Sequence, residues 1–266
     1  MGECAVSELW VYPVKSCRGI ALERAEIGPR GIRWDRHWMV VDAEGGFLTQ
    51  RQLPAMALIG TALAPDGLRL DAPGRPPLHV PYDACDARIP VKVWNDELRA
   101  CAVSPEADRW LSATLGRPCR LVRFPDDARR AVDPRFGRQG DETAFSDGFP
   151  LLLIGQASLD DLNARLARPL PMRRFRPNVV VRGAPAYAED DWRQVRIGGL
   201  GCRVVKPCSR CAITTVDPER GVRDGGEPLE ALAGYRRRDG RVYFGQNVIP
   251  DGTGEVQIGD AVAVLA

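Results

Sequence analysis

The sequence predicts a mostly β protein of the α+β class, a barrel or sandwich with few helices. Three observations predict it. Short apolar or alternating runs recur along most of the 266 residues. Turn formers separate them, with 27 Gly and 22 Pro in the chain. Only three stretches carry a helical stripe. The length points to one large domain or two intimate ones, and 44% hydrophobic residues is ordinary for a chain with a real core.

In chain order, Cys4–Pro13 is strand-like (Val6, Leu9, Val11) and ends in Pro. Ile20–Ile27 and Trp38–Asp42 follow, then a turn at Glu44-Gly45-Gly46 and the run Phe47–Gln50. Ile59–Ala64 and Leu68–Leu70 flank Pro65-Asp66-Gly67 as a hairpin, and Val91–Trp94 and Leu98–Val103 flank Asn95-Asp96 as another. Pro105–Leu115 reads as a helix, with Ser104 as cap, Pro105 in its first turn and Trp110, Leu111 and Leu115 as its stripe. Ala157–Ala167 reads as the best helix, capped by Ser158, and a third runs from Pro228 to about Arg236. The segment Pro125–Phe145 is polar and Arg-rich, which suggests a lid or binding loop. Strands at Val242–Phe244, Val256–Ile258 and Ala261–Leu265 close the chain.

Composition excludes several functions. A net charge of +2, with no basic block interleaved with aromatics, argues against nucleic acid. The longest clean apolar run, Pro150–Ile154, is one buried strand long and far short of a membrane span. The start, Met1-Gly2-Glu3-Cys4, lacks a signal-peptide pattern, and Val6 stands where a myristoylation motif wants Ser or Thr, so a cytoplasmic location is expected. Without a secretory signal, the eight cysteines are expected to be reduced thiols. His37 and His79 are the only histidines, which argues against a His-rich zinc site. No phosphate-cradling glycine loop, dinucleotide fingerprint or nucleophile elbow is present.

The segment from Val204 to Pro218 stands apart. An apolar strand leads into a Pro-containing loop with two thiols, Cys208-Ser209-Arg210-Cys211, and a β-branched run leads out. Arg210 and Lys206 nearby favour a thiolate, the form that ligates metals. On spacing alone this pair stays open between half a zinc site, a redox pair and a structural pair in a loop. Three other segments are basic for their surroundings: Lys15-Ser16 in a turn after a strand, Arg36 between aromatics, and Arg173–Arg176 before the strand Val179–Val181. Arg forks and Lys point charges suit a phosphate. With a loop thiolate they suggest an anionic cofactor whose other end is soft and metal-like.

Six motifs in order, Tyr12-Pro13-Val14-Lys15-Ser16-Cys17, Asp35-Arg36-x-Trp38, Phe175-Arg176-Pro177-Asn178, Tyr187-x-Glu189-Asp190-x-Trp192, Cys208-Ser209-Arg210-Cys211-x-x-Thr214-Thr215-Val216-Asp217-Pro218 and Phe244-Gly245-Gln246, span nearly the whole chain. Together they closely resemble the MOSC proteins, specifically the mitochondrial amidoxime-reducing component and its bacterial relatives. The resemblance implies an N-terminal β-barrel-like domain over 1–100 and a C-terminal MOSC β-barrel domain over 101–266, with the cofactor between them. It implies a molybdenum cofactor, one pyranopterin dithiolene on molybdenum, with Cys211 as the protein ligand to the metal. Lys15, Ser16, Arg36 and Arg176 are the implied cofactor contacts, with Asn178 and Ser209 beside them. The implied reaction is two-electron reduction of amidoximes, hydroxylamines and N-hydroxylated bases. No plant-type ferredoxin cysteine run is present, so an external electron carrier is expected: a ferredoxin, a flavoprotein reductase or a cytochrome b5-like protein. No membrane association is expected, and a monomer is. Asp217 is a candidate proton relay to the leaving oxygen, beside its plainer reading as a turn starter. The rival functions are a cofactor carrier or sulfur-transfer protein, and a metal-free adaptor.

Overall fold

The computed structural model describes residues 3–266, so the reading of Met1 and Gly2 lies outside the described residues. The largest sheet has nine strands. Its spatial order is Ile20–Leu22, Ala5–Val11, Val179–Arg182, Leu151–Gly155, Arg241–Pro250, Leu200–Ser209, Gln194–Ile197 and Val262–Val264, with Arg237–Arg238 pairing off this path. The N-terminal strand thus lies inside a sheet otherwise drawn mostly from the C-terminal half, antiparallel to Val179–Arg182. A four-stranded sheet runs Trp38–Val41, Arg120–Arg123, Asp96–Ala102, Ala87–Val93. The expected division at residue 100 falls within one of its strands. Three smaller sheets complete the β structure.

The fold is mostly β, as its runs predict. The expected barrels are only approached. The two edge strands of the four-stranded sheet are spanned by Gly45–Phe47, through single bridges of Phe47 to Val41 and Gly46 to Lys92.

Alternation sorts the core. In Trp38–Val41, Trp38 and Val40 enter one apolar cluster with Leu68, Leu121 and the helix residues Ala107 and Leu111. Met39 and Val41 enter another, with Val93, Phe124 and Phe145. Leu151–Gly155 divides likewise, Leu151 and Leu153 facing one cluster and Leu152 and Ile154 the opposite one. Both strands are buried on both faces, which is why each reads as an unbroken apolar run. Each such side chain contributes about 1.5–3 kcal/mol.

The helix Pro105–Leu115 forms as expected: Ser104 Oγ accepts from Ala107 N at 3.1 Å, and Gly116 ends it at φ 69°. The second helix is Gln156–Asn163, shorter than expected, and Gly155 rather than Ser158 is its cap. Ser158 is drawn inward, donating to Glu189 at 2.8 Å and accepting from Tyr187 N at 2.7 Å. The third helix is only Leu229–Ala233. Phe47–Gln50 forms no strand beyond the Val41–Phe47 bridge.

The expectation of eight reduced thiols is overturned. Cys85 and Cys101 are disulfide-bonded. The hairpin register brings them together: Ala102 pairs with Ala87, and Asp86 N donates to Ala102 O at 2.8 Å, so Cys85 meets the strand residue Cys101 from the adjoining turn. Among the described residues, no helix is long and apolar enough to cross a membrane.

Candidate functional site

One cleft brings together the dispersed basic segments and the Cys208–Cys211 turn. Lys15, Ser16, Arg36, Arg176, Asn178, Ser209 and Cys211 all line it. Asp217 does not. Its Oδ1 accepts from Glu219 N at 2.8 Å and Arg220 N at 3.1 Å, closing the turn named as its plainer role. Burial pushes this carboxyl up, but the two amides, with the Arg174 and Arg220 charges, together hold the group below the usual carboxylate range.

The thiol turn is shaped by the end of strand Leu200–Ser209. Its register with Arg241–Pro250 slips between Val204 and Lys206 and again between Pro207 and Ser209. Pro207 has no N–H to give a ladder, and bulges of this kind re-aim the side chains that follow. The partner strand needs Gly245 at φ 76°, where a Cβ would strike Ile154. Beyond the strand, Cys211 caps a single 3-10 turn, Ala212–Thr215, in place of the expected β run, and its carbonyl accepts from Thr214 N and Oγ1.

The two thiols have different neighbours. Cys208 Sγ accepts from Arg210 Nη1 at 3.0 Å and packs on the cluster around Phe175 and Phe244. Cys211 Sγ accepts from Arg51 Nη1 at 3.5 Å. Lys206, expected near the thiols, points instead over the Phe136 ring at 4.4 Å. Cys17 is fully buried, and burial pushes its thiol up to about 12, so it stays protonated.

Three further cations that line the cleft are held in fixed places. Lys15 is 5% exposed, and its Nζ donates to Phe145 O at 2.8 Å and Asp147 Oδ1 at 2.5 Å. Burial lowers the Lys15 ammonium and Asp147 opposes that shift. Desolvation raises the Asp147 carboxyl, yet Lys15 and then Arg51 hold it well below the usual range. Arg36 donates to Asp35 at 2.6 Å, Asn178 Oδ1 at 3.0 Å and Arg176 O at 3.0 Å. The guanidinium groups of Arg36 and Arg176 lie 4.4 and 4.2 Å from the Tyr12 ring centre. Arg176 donates to Cys17 O at 2.6 Å while its Nη2 is buried without a partner. Burial, then Arg36, lowers its guanidinium to about 10, which leaves it charged at neutral pH.

Ser16, Arg36 and Arg176 share one further property: all three have left-handed backbone, at φ 70°, 45° and 56°. Non-glycine residues hold that conformation at a cost, and such strain concentrates at binding sites. Asn178 lines the cleft, but its amide is engaged: Oδ1 takes Arg36 and Leu152 N, and Nδ2 donates to Trp10 O. It positions Arg36.

Sequence reasoning missed Arg51 and Asp147, and no motif marks either. It gave no role to Tyr12 or Asp35, although both stand inside quoted motifs. Two other motifs clip each other away from the cleft: Asp190 pairs with Arg236 at 2.6 Å and accepts from Gln246 at 2.7 Å. The Pro125–Phe145 segment is pinned by ion pairs, Arg130 to Asp96 and Arg203 to Asp141, and the cleft lining begins only after it, at Ser146.

The donor set fits a ligand that carries both a soft metal and a phosphate. A half-buried thiol and three cations line one cleft, and one buried guanidinium nitrogen lacks a protein partner. Residues 3–118 match the MOSC N-terminal beta barrel domain and residues 140–263 match the MOSC domain, which defines the class: a MOSC-domain protein. Mitochondrial amidoxime-reducing component 1 of Mus musculus is 37% identical, aligned over 98% of this chain and 82% of its own length. The Homo sapiens protein of that name is 36% identical over the same shares. Mitochondrial amidoxime reducing component 2 of Rattus norvegicus is 34% identical, over 97% of this chain and 82% of its own. The chain belongs to this family of amidoxime-reducing components.

Proposed function

We propose that the protein reduces N-hydroxylated compounds, amidoximes and hydroxylamines among them, with a molybdenum cofactor seated in the cleft. The observation that carries this reading is the convergence of Cys211 with Lys15, Arg36 and Arg176 on one cavity. When bound, the molybdenum of a pyranopterin dithiolene supplies the two-electron chemistry. Each turnover converts N–OH to N–H and water, consuming two electrons and two protons.

The chain's own residues bind and orient. Cys211 offers the metal a thiolate, with Arg51 beside its sulfur. Lys15 spends two of its N–H bonds on Phe145 O and Asp147, leaving a third for a phosphate. Arg36 is locked by Asp35 and Asn178, so little freedom is lost when it meets an anion. The buried Arg176 Nη2 gains in the ligand the partner it lacks. Electrons come from an external carrier protein.

The test is molybdenum and pterin content, with benzamidoxime reduction by dithionite, in wild type, Cys211→Ala and Cys208→Ala. Cys211→Ala is expected to lose bound molybdenum and activity, and Cys208→Ala to keep both. The opposite pattern refutes the ligand assignment. A wild type loaded with cofactor that does not turn over with dithionite favours the second reading, a cofactor carrier or sulfur-transfer protein.

A further inference from the structure

We infer that the rim over Cys211, formed by Arg51, Trp94, Val222 and Arg223, is the docking face for an acidic one-electron carrier protein, an inference that rests on the reductase reading above. Trp94 stands at the tip of the hairpin between Ala87–Val93 and Asp96–Ala102. It is 43% exposed with its backbone left-handed at φ 57°. It is the only aromatic among the large hydrophobic side chains that stand exposed among the described residues. Its indole is held, not loose: Nε1 donates to Asp147 at 3.2 Å and the Arg51 guanidinium lies 4.7 Å from its ring centre. Arg51 reaches Cys211 Sγ in turn, and Arg223 Nη2 donates to Arg51 O at 2.7 Å. Val222, 41% exposed, adjoins Arg223. A continuous chain of contacts therefore joins the exposed indole to the thiol.

Charge selects the partner. Arg51 and Arg223 form no ion pair among the described residues, and neither does Arg210, which closes the far side of the turn. The nearby carboxylates have cations of their own: Asp147 pairs with Lys15 at 2.5 Å and also feels Arg51, Asp96 and Glu97 beside Trp94 pair with Arg130 at 2.6 Å and Lys92 at 3.8 Å, and Asp224 pairs with Arg174 at 3.2 Å. Beyond Arg210, a groove that shares Ser209 and Arg210 with the cleft carries Arg237 and Arg241 against one acid, Glu230. A projecting, pre-ordered Trp flanked by Arg is the composition of an interface hot spot. Guanidinium groups around it that make no direct ion pair steer an acidic surface and set its orientation. A carrier seated here stands next to the residue that would hold the metal. Each reduced carrier gives up one electron and leaves oxidised. Two encounters supply the two electrons that, with two protons from solvent, turn one N–OH into N–H and water.

The experiment uses the cofactor-loaded full chain and the soluble haem domain of cytochrome b5, an acidic one-electron carrier, kept reduced by its NADH-dependent reductase. Arg223→Glu and Trp94→Ala are compared with Arg69→Glu, an exposed arginine on the strand Gly67–Asp71. Arg223→Glu is expected to raise the KM for the carrier about tenfold or more at low salt. It should weaken the Kd for the oxidised carrier, read by calorimetry, by a similar factor. Trp94→Ala should do the same through lost apolar contact, with a smaller salt dependence. Turnover with dithionite and the KM for benzamidoxime should stay as in wild type for all three. Unchanged carrier KM and Kd in both rim variants, with dithionite turnover intact, overturn the docking face and leave the reductase reading standing. A wild type that fails to turn over with dithionite sinks the reductase reading instead. A raised KM for benzamidoxime with carrier binding unchanged assigns the rim to substrate and also overturns the inference.

Discussion

The end of helix Pro105–Leu115 and the floor of the cleft use the same backbone conformation with opposite economy. At the helix end the left-handed position is Gly116, at φ 69°, where no Cβ opposes it. In the cleft the left-handed positions are Ser16, Arg36 and Arg176, where a Cβ does. Around the helix every local choice agrees: Ser104 caps, Pro105 opens, and Ala107 and Leu111 face an apolar cluster. On the cleft floor, two half-buried guanidinium groups are packed on one Tyr12 ring and bent into costly backbone. The first region is arranged for its own stability. The second is arranged for something it has yet to bind, and the rest of the molecule holds it in place.

The largest test of this contrast is Arg36→Ala. It leaves the Asp35 carboxylate, 1% exposed, without its guanidinium, and the expected loss is about 3–5 kcal/mol in urea unfolding. Leu111→Ala in the helix should lose about 2–5 kcal/mol by opening a cavity. Only Arg36→Ala should also lose molybdenum at matched folded fraction. Equal retention of metal by both variants would break the contrast.

His37 sits in the turn that carries Arg36, walled by Trp34, Trp38 and Phe124. Burial, then Arg123, pushes its imidazole from 6.5 down to about 4. The folded state therefore favours the neutral ring. That stability is fully present above pH 6.5 and drains away as pH falls towards 4, because the unfolded chain takes up the proton first. The shift corresponds to about 3 kcal/mol. His37→Phe should flatten this part of the stability–pH curve and move the acid-unfolding midpoint to lower pH. An unmoved midpoint places the acid sensitivity elsewhere.

The smallest effects are opposite in sign. Gly116→Ala and Ser104→Ala should each cost about 1 kcal/mol. Ser16→Gly should gain about 1 kcal/mol in the apoprotein, by relieving a left-handed serine, and weaken cofactor retention. Thermal unfolding of the apo forms reads both. A destabilised Ser16→Gly would mean that the Ser16 side chain contributes more to the fold than its backbone costs.

The contrast also explains what was legible in the sequence. Where stability alone is served, pattern sufficed: the Ser104 cap, the two hairpins and the doubly buried runs at Trp38 and Leu151 all form. The cleft was reached through motifs, because Lys15, Arg36, Arg176 and Cys211 meet by tertiary folding that no local period encodes. Arg51 lies 160 residues from the thiol it touches and carries no pattern. The bond between Cys85 and Cys101 depends on hairpin register, which spacing does not reveal. Ser158 had the chemistry of a cap, but burial beside Glu189 set its partner instead.

The placement of Ala5–Val11 between Ile20–Leu22 and Val179–Arg182 has a consequence in time. At 5–20 residues per second, a ribosome takes roughly ten to thirty seconds to progress from the first of these strands to the last. Throughout that interval Val6, Leu9 and Val11, all buried in the finished fold, await the sheet that will cover them. The apolar face of the first strand therefore stays uncovered for most of the chain's synthesis, the stage at which a factor that shields it would act.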